Sequence, residues 1–274
     1  YEGMMKSKNL ESTDLSCLRA CFCGGDALTA DLKARFEDYI ARRGASLSLR
    51  EGFGLTETVT VCSVNPEYKS KSGSIGLPLP GIEMKIIDLK TKKSLSPGKQ
   101  GEICVSGPTV MLGYLSDPEG TREAIHIHED GKRWVHTGDY GYMDKEGYFF
   151  FTQRLKRIIK VSGIPVFPSQ IEDVLCDIEG IDNACAISIP DSYRMSVVKA
   201  LVVLDEKGQE LGEDLMRRQI ALKCKEHLIP YARPVEIEFR SELPKTLVGK
   251  IDYVLLEREE REKISGKSGK TSKN

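Results

Sequence analysis

Apolar and polar positions follow different periods in successive parts of the chain, and the changes of period mark its elements. Leu18-Arg19-Ala20-Cys21-Phe22-Cys23 is a short apolar run closed by Gly24-Gly25-Asp26. A helix is predicted next: Thr29 is placed to cap it, and Leu32, Phe36, Tyr39 and Ile40 fall at i, i+4, i+7 and i+8. Gly44 ends it as a left-handed terminator, and Ser46-Leu47-Ser48-Leu49 reads as a second strand. Strand, glycine turn, helix, strand is a βαβ unit, and such units bind ligands at the carboxyl ends of their strands. Both predicted strand ends carry glycines, Gly24-Gly25 and Gly52-Phe53-Gly54. Glycines also serve plain tight turns, so a ligand cradle and a pair of turns both fit. Thr56 and Glu57 follow directly; a hydroxyl and a carboxylate suit a phosphate and its hard cation, although Thr-Glu pairs also start helices.

Between residues 73 and 152 the pattern shortens. Turn signals at Gly76, Pro80-Gly81, Pro97-Gly98, Gly107-Pro108 and Gly113 separate short strands such as Met84-Lys85-Ile86-Ile87 and Glu102-Ile103-Cys104-Val105, which predicts a small β-barrel or sheet subdomain. Trp134-Val135-His136 runs into Thr137-Gly138-Asp139, an Asp expected at a strand end, where it suits a sugar diol or an Asx turn equally. The strip Gln153 to Gly163 then carries Arg154, Lys156 and Lys160 between two folding units. Beyond it, Ser169 and Glu172 have capping-box spacing, and Ile171, Val174, Leu175 and Ile178 make a buried stripe. Strands are expected at Ala184–Ile187, Val197–Leu204 and Val235–Phe239, with a helix over roughly 213–227. The result is an α+β domain of ordinary size. Past about Leu256 the chain turns charged and then Ser, Gly and Lys only, which predicts fraying.

Composition narrows the function classes. With 274 residues the chain is long enough for two domains. Lys plus Arg (40) nearly balances Asp plus Glu (41), so no basic field points to nucleic acid. No run of eighteen apolar residues suggests a membrane span, and no secretory signal is evident. The eight cysteines include no CxxC pair, which fits reduced thiols and a cytoplasmic setting. Cys21 and Cys23, alternating with Phe22, read as small buried thiols. His126 and His128 form an HxH pair with no Cys or second His pair close in sequence, which argues against a metal there.

Four motifs now stand in order: Gly52-Phe53-Gly54-Leu55-Thr56-Glu57; Thr137-Gly138-Asp139; Arg154-Leu155-Lys156 with Lys160 and Gly163; and Pro244-Lys245-Thr246-Leu247-Val248-Gly249-Lys250. Together they resemble the adenylate-forming superfamily of acyl- and aryl-CoA synthetases, peptide-synthetase adenylation domains and luciferases, over nearly the whole chain to about residue 256. The resemblance implies an α/β plus α+β architecture. Residues 1–154 would be the end of a large AMP-binding domain (the βαβ unit and the β-barrel subdomain), 155–256 a small mobile α+β domain, and 257–274 a disordered tail. It implies ATP or AMP, Mg²⁺ and CoA as cofactors, and a fatty or aryl carboxylic acid as substrate. A carboxylate attacks the α-phosphorus of ATP, and a thiol then takes the acyl group. By the same resemblance Gly24 and Gly25 line the adenine and acyl pocket, and Phe53, between Gly52 and Gly54, stacks on adenine. Thr56 contacts phosphate, Glu57 holds Mg²⁺, and Asp139 takes the ribose hydroxyls beside Arg154. Lys156 looks like the hinge, Lys250 the lysine bridging carboxylate and phosphate, and Lys160 a further cofactor contact. Ser162-Gly163 looks like the loop met by the pantetheine arm.

The sequence departs from the family at Gln153, where Gly or Asp is common, at Arg157, where an acid is frequent, and at Phe53, which replaces a frequent Tyr. The family's Ser/Thr/Gly-rich phosphate loop does not occur between Tyr1 and Gly52. The expectation is therefore a C-terminal portion of a longer synthetase, inactive alone. Two rival readings stay open: an adenylation enzyme loading a free-standing carrier protein, and a catalytically silent nucleotide- or partner-binding fragment.

Overall fold

The computed structural model describes residues 1–25, 28–247 and 249–268, and the chain divides into one compact unit from Tyr1 to Leu155 and a second from Lys156 on. Asp26, Val248 and the last six residues of the expected tail lie outside the described residues.

The first unit begins with helix α1 (Glu2–Met5), strand β1 (Cys21–Cys23) and helix α2 (Ala30–Ala41). Thr29 caps α2 as expected, its hydroxyl accepting from Leu32 N at 3.2 Å. Phe36 and Ile40 are fully buried on its inner face, each worth about 1.5–3 kcal/mol. Strand β2 (Leu49–Gly54) pairs parallel to β1, and β3 (Val61–Val64) and β4 (Leu77–Pro78) add antiparallel in the order β1-β2-β3-β4. The second strand therefore starts later than the Ser46–Leu49 reading. Glu37 claims the Ser48 hydroxyl (2.5 Å) and the Leu49 N–H (2.8 Å), so pairing begins at Leu49 and runs through the glycines. Cys21 and Cys23 are half-buried beneath α2, and all eight cysteines are free thiols.

Of the two forms expected for the next segment, barrel or sheet, the structure has an open antiparallel sheet and no closed barrel. Its strands are β5 (Glu83–Ile87), β6 (Gln100–Ser106), β7 (Ile125–Ile127), β8 (Arg133–Met143) and β9 (Phe149–Arg154), with helix α3 (Pro118–Ala124) ahead of β7. The order is β5-β6-β8, and β7 and β9 share the far edge of the long β8. Closure fails because β5 pairs only with β6 among the described strands. The inner face holds Ile86, Ile103 and Phe149.

In the second unit a hairpin, β10 (Ile159–Val161) and β11 (Ile164–Val166), leads into α4 (Pro168–Cys176). The expected Ser169–Glu172 capping box is not formed. Phe167 is the N-cap and Glu172 is taken by Arg157 (2.5 and 3.2 Å) and by the Ala186 N–H (2.9 Å). Strands β12 (Ile181–Asp191) and β13 (Met195–Leu204) pair antiparallel, α5 (Glu206–Leu211) and α6 (Glu213–His227) follow, and β14 (Glu236–Arg240) joins β13 in parallel. One sheet face packs Ala184, Ala186, Val198, Ala200 and Val202 against Ile171, Leu175, Met216 and Ile220; the other packs Cys185, Ile187 and Leu201 against Leu243 and Leu256. Burial on both faces explains the unbroken apolar runs of these strands. The second cover is α7 (Tyr253–Ser268), which corrects the expectation of fraying beyond Leu256. Leu256 and Glu260, one turn apart, are both buried, and Glu260 pairs with Lys199 at 2.9 Å. No helix among the described residues is long and apolar enough to cross a membrane.

Candidate active site

The carboxyl ends of β1 and β2 bring the two glycine clusters together. A Cβ on Gly24 would lie 3.0 Å from Gly52 O, so close backbone approach explains the glycine there. Gly25 follows, exposed, with φ +82°. Phe53 is half-buried, packed against the clusters containing Cys62, Ile82 and Val105 and Ile86, Ile103 and Phe149. After Gly54 the chain makes a single 3₁₀ turn, Thr56–Thr58, followed by Val59 at φ +70°, ψ −54° with Thr60 N donating to Thr58 O at 2.9 Å. This is a γ-turn on a β-branched residue. Such conformations cost about 1–3 kcal/mol and persist where the surroundings impose them.

Glu57 is held at both ends. Its carbonyl accepts from Met111 N at 2.8 Å, and its carboxylate accepts from the Tyr114 hydroxyl at 2.5 Å. The carboxylate hydrogen bond, with burial and the negative charges of Glu57 and Asp117, pushes the Tyr114 phenol up to about 12. Arg133 steadies the same loop by donating to Met111 O and Leu112 O, each at 3.0 Å. Thr56 is exposed beside Glu57. Hydroxyl and carboxylate together offer only oxygen, the donor set a hard cation such as Mg²⁺ takes.

Asp139 lies inside β8 and not at a strand end. Cys104 pairs with His136 and Glu102 with Tyr140, so Ile103 of β6 faces Thr137, Gly138 and Asp139 together. The bulge is tied on all sides: Thr137 Oγ1 donates to Ile103 O (2.7 Å) and accepts from Asp139 N (3.0 Å), and Gly138 N donates to Glu102 Oε1 (3.2 Å). Gly138 has φ +69°, a conformation other residues adopt only with strain. Bulges re-aim side chains, and this one presents Asp139, 1% exposed, to Arg154, whose Nε stands 2.9 Å from Oδ1. Arg154 also donates to Thr137 O at 3.2 Å.

Family models of the AMP-binding enzyme and of the AMP-binding enzyme C-terminal domain match residues 1–115 and 170–250. The chain belongs to the adenylate-forming, AMP-binding enzyme family. It is 38% identical over 252 residues to a long-chain-fatty-acid–CoA ligase of Bacillus subtilis (strain 168), covering 92% of this chain and 42% of that protein. It is 39% identical over 249 residues to the luciferin 4-monooxygenase of Nipponoluciola cruciata, covering 90% and 43%. The crystal structure of ATP-bound MatB from Rhodopseudomonas palustris superposes with a TM-score of 0.80 at 27% identity, covering 94% of this chain and 49% of that one. The chain thus spans less than half the length of these members of the family.

The remaining motif residues of this member of the AMP-binding family belong to the second unit. Lys156 is exposed in a 3₁₀ turn, Leu155–Arg157. Lys160 is exposed on β10, and Ser162 (φ +51°) and Gly163 (φ +80°) form the tip of its hairpin, where Ser162 N donates to Arg194 O at 3.1 Å. Lys250 is exposed on a loop closed by Thr246 N donating to Lys250 O (2.7 Å) and by the Lys245–Ile251 bridge. Arg157 departs from the family pattern with a local reason: it forks onto Glu172 and lies 4.8 Å from the Tyr253 ring centroid. Tyr114, Arg133 and Glu102 were not legible as site residues. Tyr114 and Glu102 touch the motif residues Glu57 and Gly138 from 57 and 36 positions away, and Arg133 holds the loop that carries Met111, with no local pattern to mark any of them.

Proposed function

We propose that this chain is the C-terminal portion of an AMP-forming acyl-CoA synthetase, which activates a carboxylic acid with ATP and passes the acyl group to CoA. The observation that carries the reading is the buried Asp139 on its tied bulge beside Arg154; a carboxylate so fixed accepts two hydrogen bonds from a ribose diol. Phe53 offers a ring face to adenine, with Gly24, Gly25, Gly52 and Gly54 admitting the nucleotide to the strand ends. Thr56 contacts phosphate and Glu57 holds the metal. Magnesium, when bound, neutralises phosphate charge. Arg154 orients Asp139; Lys156 is the hinge; Lys250 bridges the attacking carboxylate and the phosphate; Lys160, Ser162 and Gly163 meet the pantetheine arm. Mobile domains supply such groups for one step and withdraw them for the next. A fatty acid is the substrate class that the Bacillus relative's name supports. The free thiols fit a reducing cytoplasm.

ATP–pyrophosphate exchange tests this reading, run on the 274-residue chain and on the full-length product of its gene with fatty, aryl and amino acids. Exchange by the full-length protein with a fatty or aryl acid, and silence from the chain alone, is the expected result. Silence from both moves the reading to a nucleotide- or partner-binding module, and exchange with amino acids alone to a carrier-loading enzyme.

Tyr114→Phe in the full-length protein should raise the Mg²⁺ concentration needed for half-maximal exchange by about 10- to 100-fold, the usual cost of losing a group that orients a metal ligand. An unchanged magnesium dependence would remove Tyr114 from that role.

A further inference from the structure

Arg157 directly follows Lys156, the first residue of the second unit, and its guanidinium ties three elements of that unit together. Its two terminal nitrogens fork onto the Glu172 carboxylate of α4 at 3.2 and 2.5 Å. Glu172 in turn accepts from Ala186 N of β12 at 2.9 Å. Both charged side chains are largely withdrawn from water, at 19% and 18% exposure. The same guanidinium lies over the Tyr253 ring, 4.8 Å from its centroid. Tyr253 opens α7 and packs against the cluster that holds Cys185, Leu243 and Leu256.

Tyr253 is also one foot of the loop that presents Lys250. The base of that loop is closed by the Lys245–Ile251 bridge and by Asp252 N donating to Pro244 O at 2.8 Å. Its tip is closed by Thr246 N donating to Lys250 O at 2.7 Å and Gly249 N donating to Thr246 O at 2.8 Å. Leu243 sinks the incoming side into the core, whereas the outgoing side is held by the half-buried Ile251 and Tyr253. Arg157 thus joins the turn that carries Lys156 to the less firmly buried foot of the loop. A planar guanidinium can fork onto a carboxylate while stacking on an aromatic face, and a lysine ammonium cannot do both.

We propose, on the synthetase reading given above, that Arg157 is a positioning residue for Lys250. Stacked on Tyr253 and forked onto Glu172, it holds the foot of the loop to the hinge turn, so that the turn and the lysine move as one body. An ammonium that must sit between two anions tolerates little error, and a displacement of about 1 Å originating far from the reacting atoms can cost about a hundredfold in rate. Thiol attack makes no use of that ammonium, so the effect of Arg157 is confined to adenylate formation.

Arg157→Met and Tyr253→Leu, each made in the full-length protein, test this. Each should lower ATP–pyrophosphate exchange by about 10- to 100-fold while largely sparing thioester formation from supplied acyl-adenylate. Tyr253→Leu leaves the Arg157–Glu172 pair intact and orphans no charge, so it decides the matter even if Arg157→Met folds poorly. Lys223→Gln, which breaks a surface ion pair with Asp177 in the same unit, should leave both steps unchanged. Hydrogen exchange at the Thr246, Gly249 and Asp252 amides reads the loop without turnover and should speed about tenfold in both variants, the effect of losing one cation–π contact. Equal loss of the two steps in Tyr253→Leu, undiminished pyrophosphate exchange from an active parent, or unchanged amide exchange would each overturn the role. A parent silent in pyrophosphate exchange whose loop amides respond to both substitutions would remove the synthetase reading and leave the hold of Arg157 on the loop standing.

Discussion

Lys250→Ala in the full-length protein should abolish adenylate formation while largely sparing thioester formation from supplied acyl-adenylate. Two anions meet in the first half-reaction, and an ammonium between them is the most direct remedy. Removing one such preorganised donor typically costs about 10²- to 10³-fold in rate. The loop bearing Lys250 is built to present it, since buried Leu243 and half-buried Ile251 anchor the two sides while the lysine is exposed. The second half-reaction is attack by a thiol at the acyl carbon of the mixed anhydride, whose one remaining negative charge sits on the departing phosphate, so no carboxylate has to approach a polyanionic phosphate chain. Pyrophosphate exchange and acyl transfer to CoA, measured separately, check the prediction, and equal loss of both steps would sink the role assigned to Lys250.

Lys199→Ala should destabilise the second unit by about 3–5 kcal/mol, the usual cost of removing one partner from a buried ion cluster. Lys199 is 2% exposed and touches Glu236 (2.7 Å), Glu238 (2.7 Å) and Glu260 (2.9 Å). Without it, Glu260 is buried with only Lys263 to match it. The pH dependence has a definite sign. Burial raises the Glu238 carboxyl, but hydrogen bonds and charge from Lys199 and Arg240 outweigh it and hold the group at about 2. A carboxyl lowered from about 4.3 stabilises the fold above its unfolded value, and the contribution disappears as pH falls toward 2. Urea midpoints of the parent and Lys199→Ala should therefore differ most near neutrality and converge below about pH 4. A gap constant down to pH 2.5 would mean that lost packing of the lysine stem, not charge, sets the cost.

Local periodicity made the helices legible. Phe36 and Ile40 sit on one face of α2 and Thr29 caps it, and α6 spans Glu213–His227 where the pattern put it. Misreadings arose where a distant partner took a group that looked locally committed: Glu37 on Leu49, Arg157 on Glu172, Lys199 on Glu260. The candidate site could be named from the sequence because Thr56 and Glu57, and Thr137 to Asp139, are contiguous. Its supports could not, because Tyr114, Arg133 and Glu102 reach those motifs only through the fold. A lysine within the apolar run Val197–Leu204 was the one overlooked local signal of buried charge.

The Thr137–Asp139 bulge also constrains how β8 can change length over time. The residue sums of its pairings with β6 step by two across the bulge, from Cys104–His136 to Glu102–Tyr140, so inside and outside keep their phase. Deleting one residue would turn Gly141 away from Ile103 and bring a side chain where Phe150 O leaves room only for hydrogen. Deleting two would restore the phase but remove the bulge that aims Asp139 at Arg154. The length of this segment is therefore as tightly set as its composition, and on the proposed reading an alignment gap inside it would mark a descendant that no longer holds a ribose there.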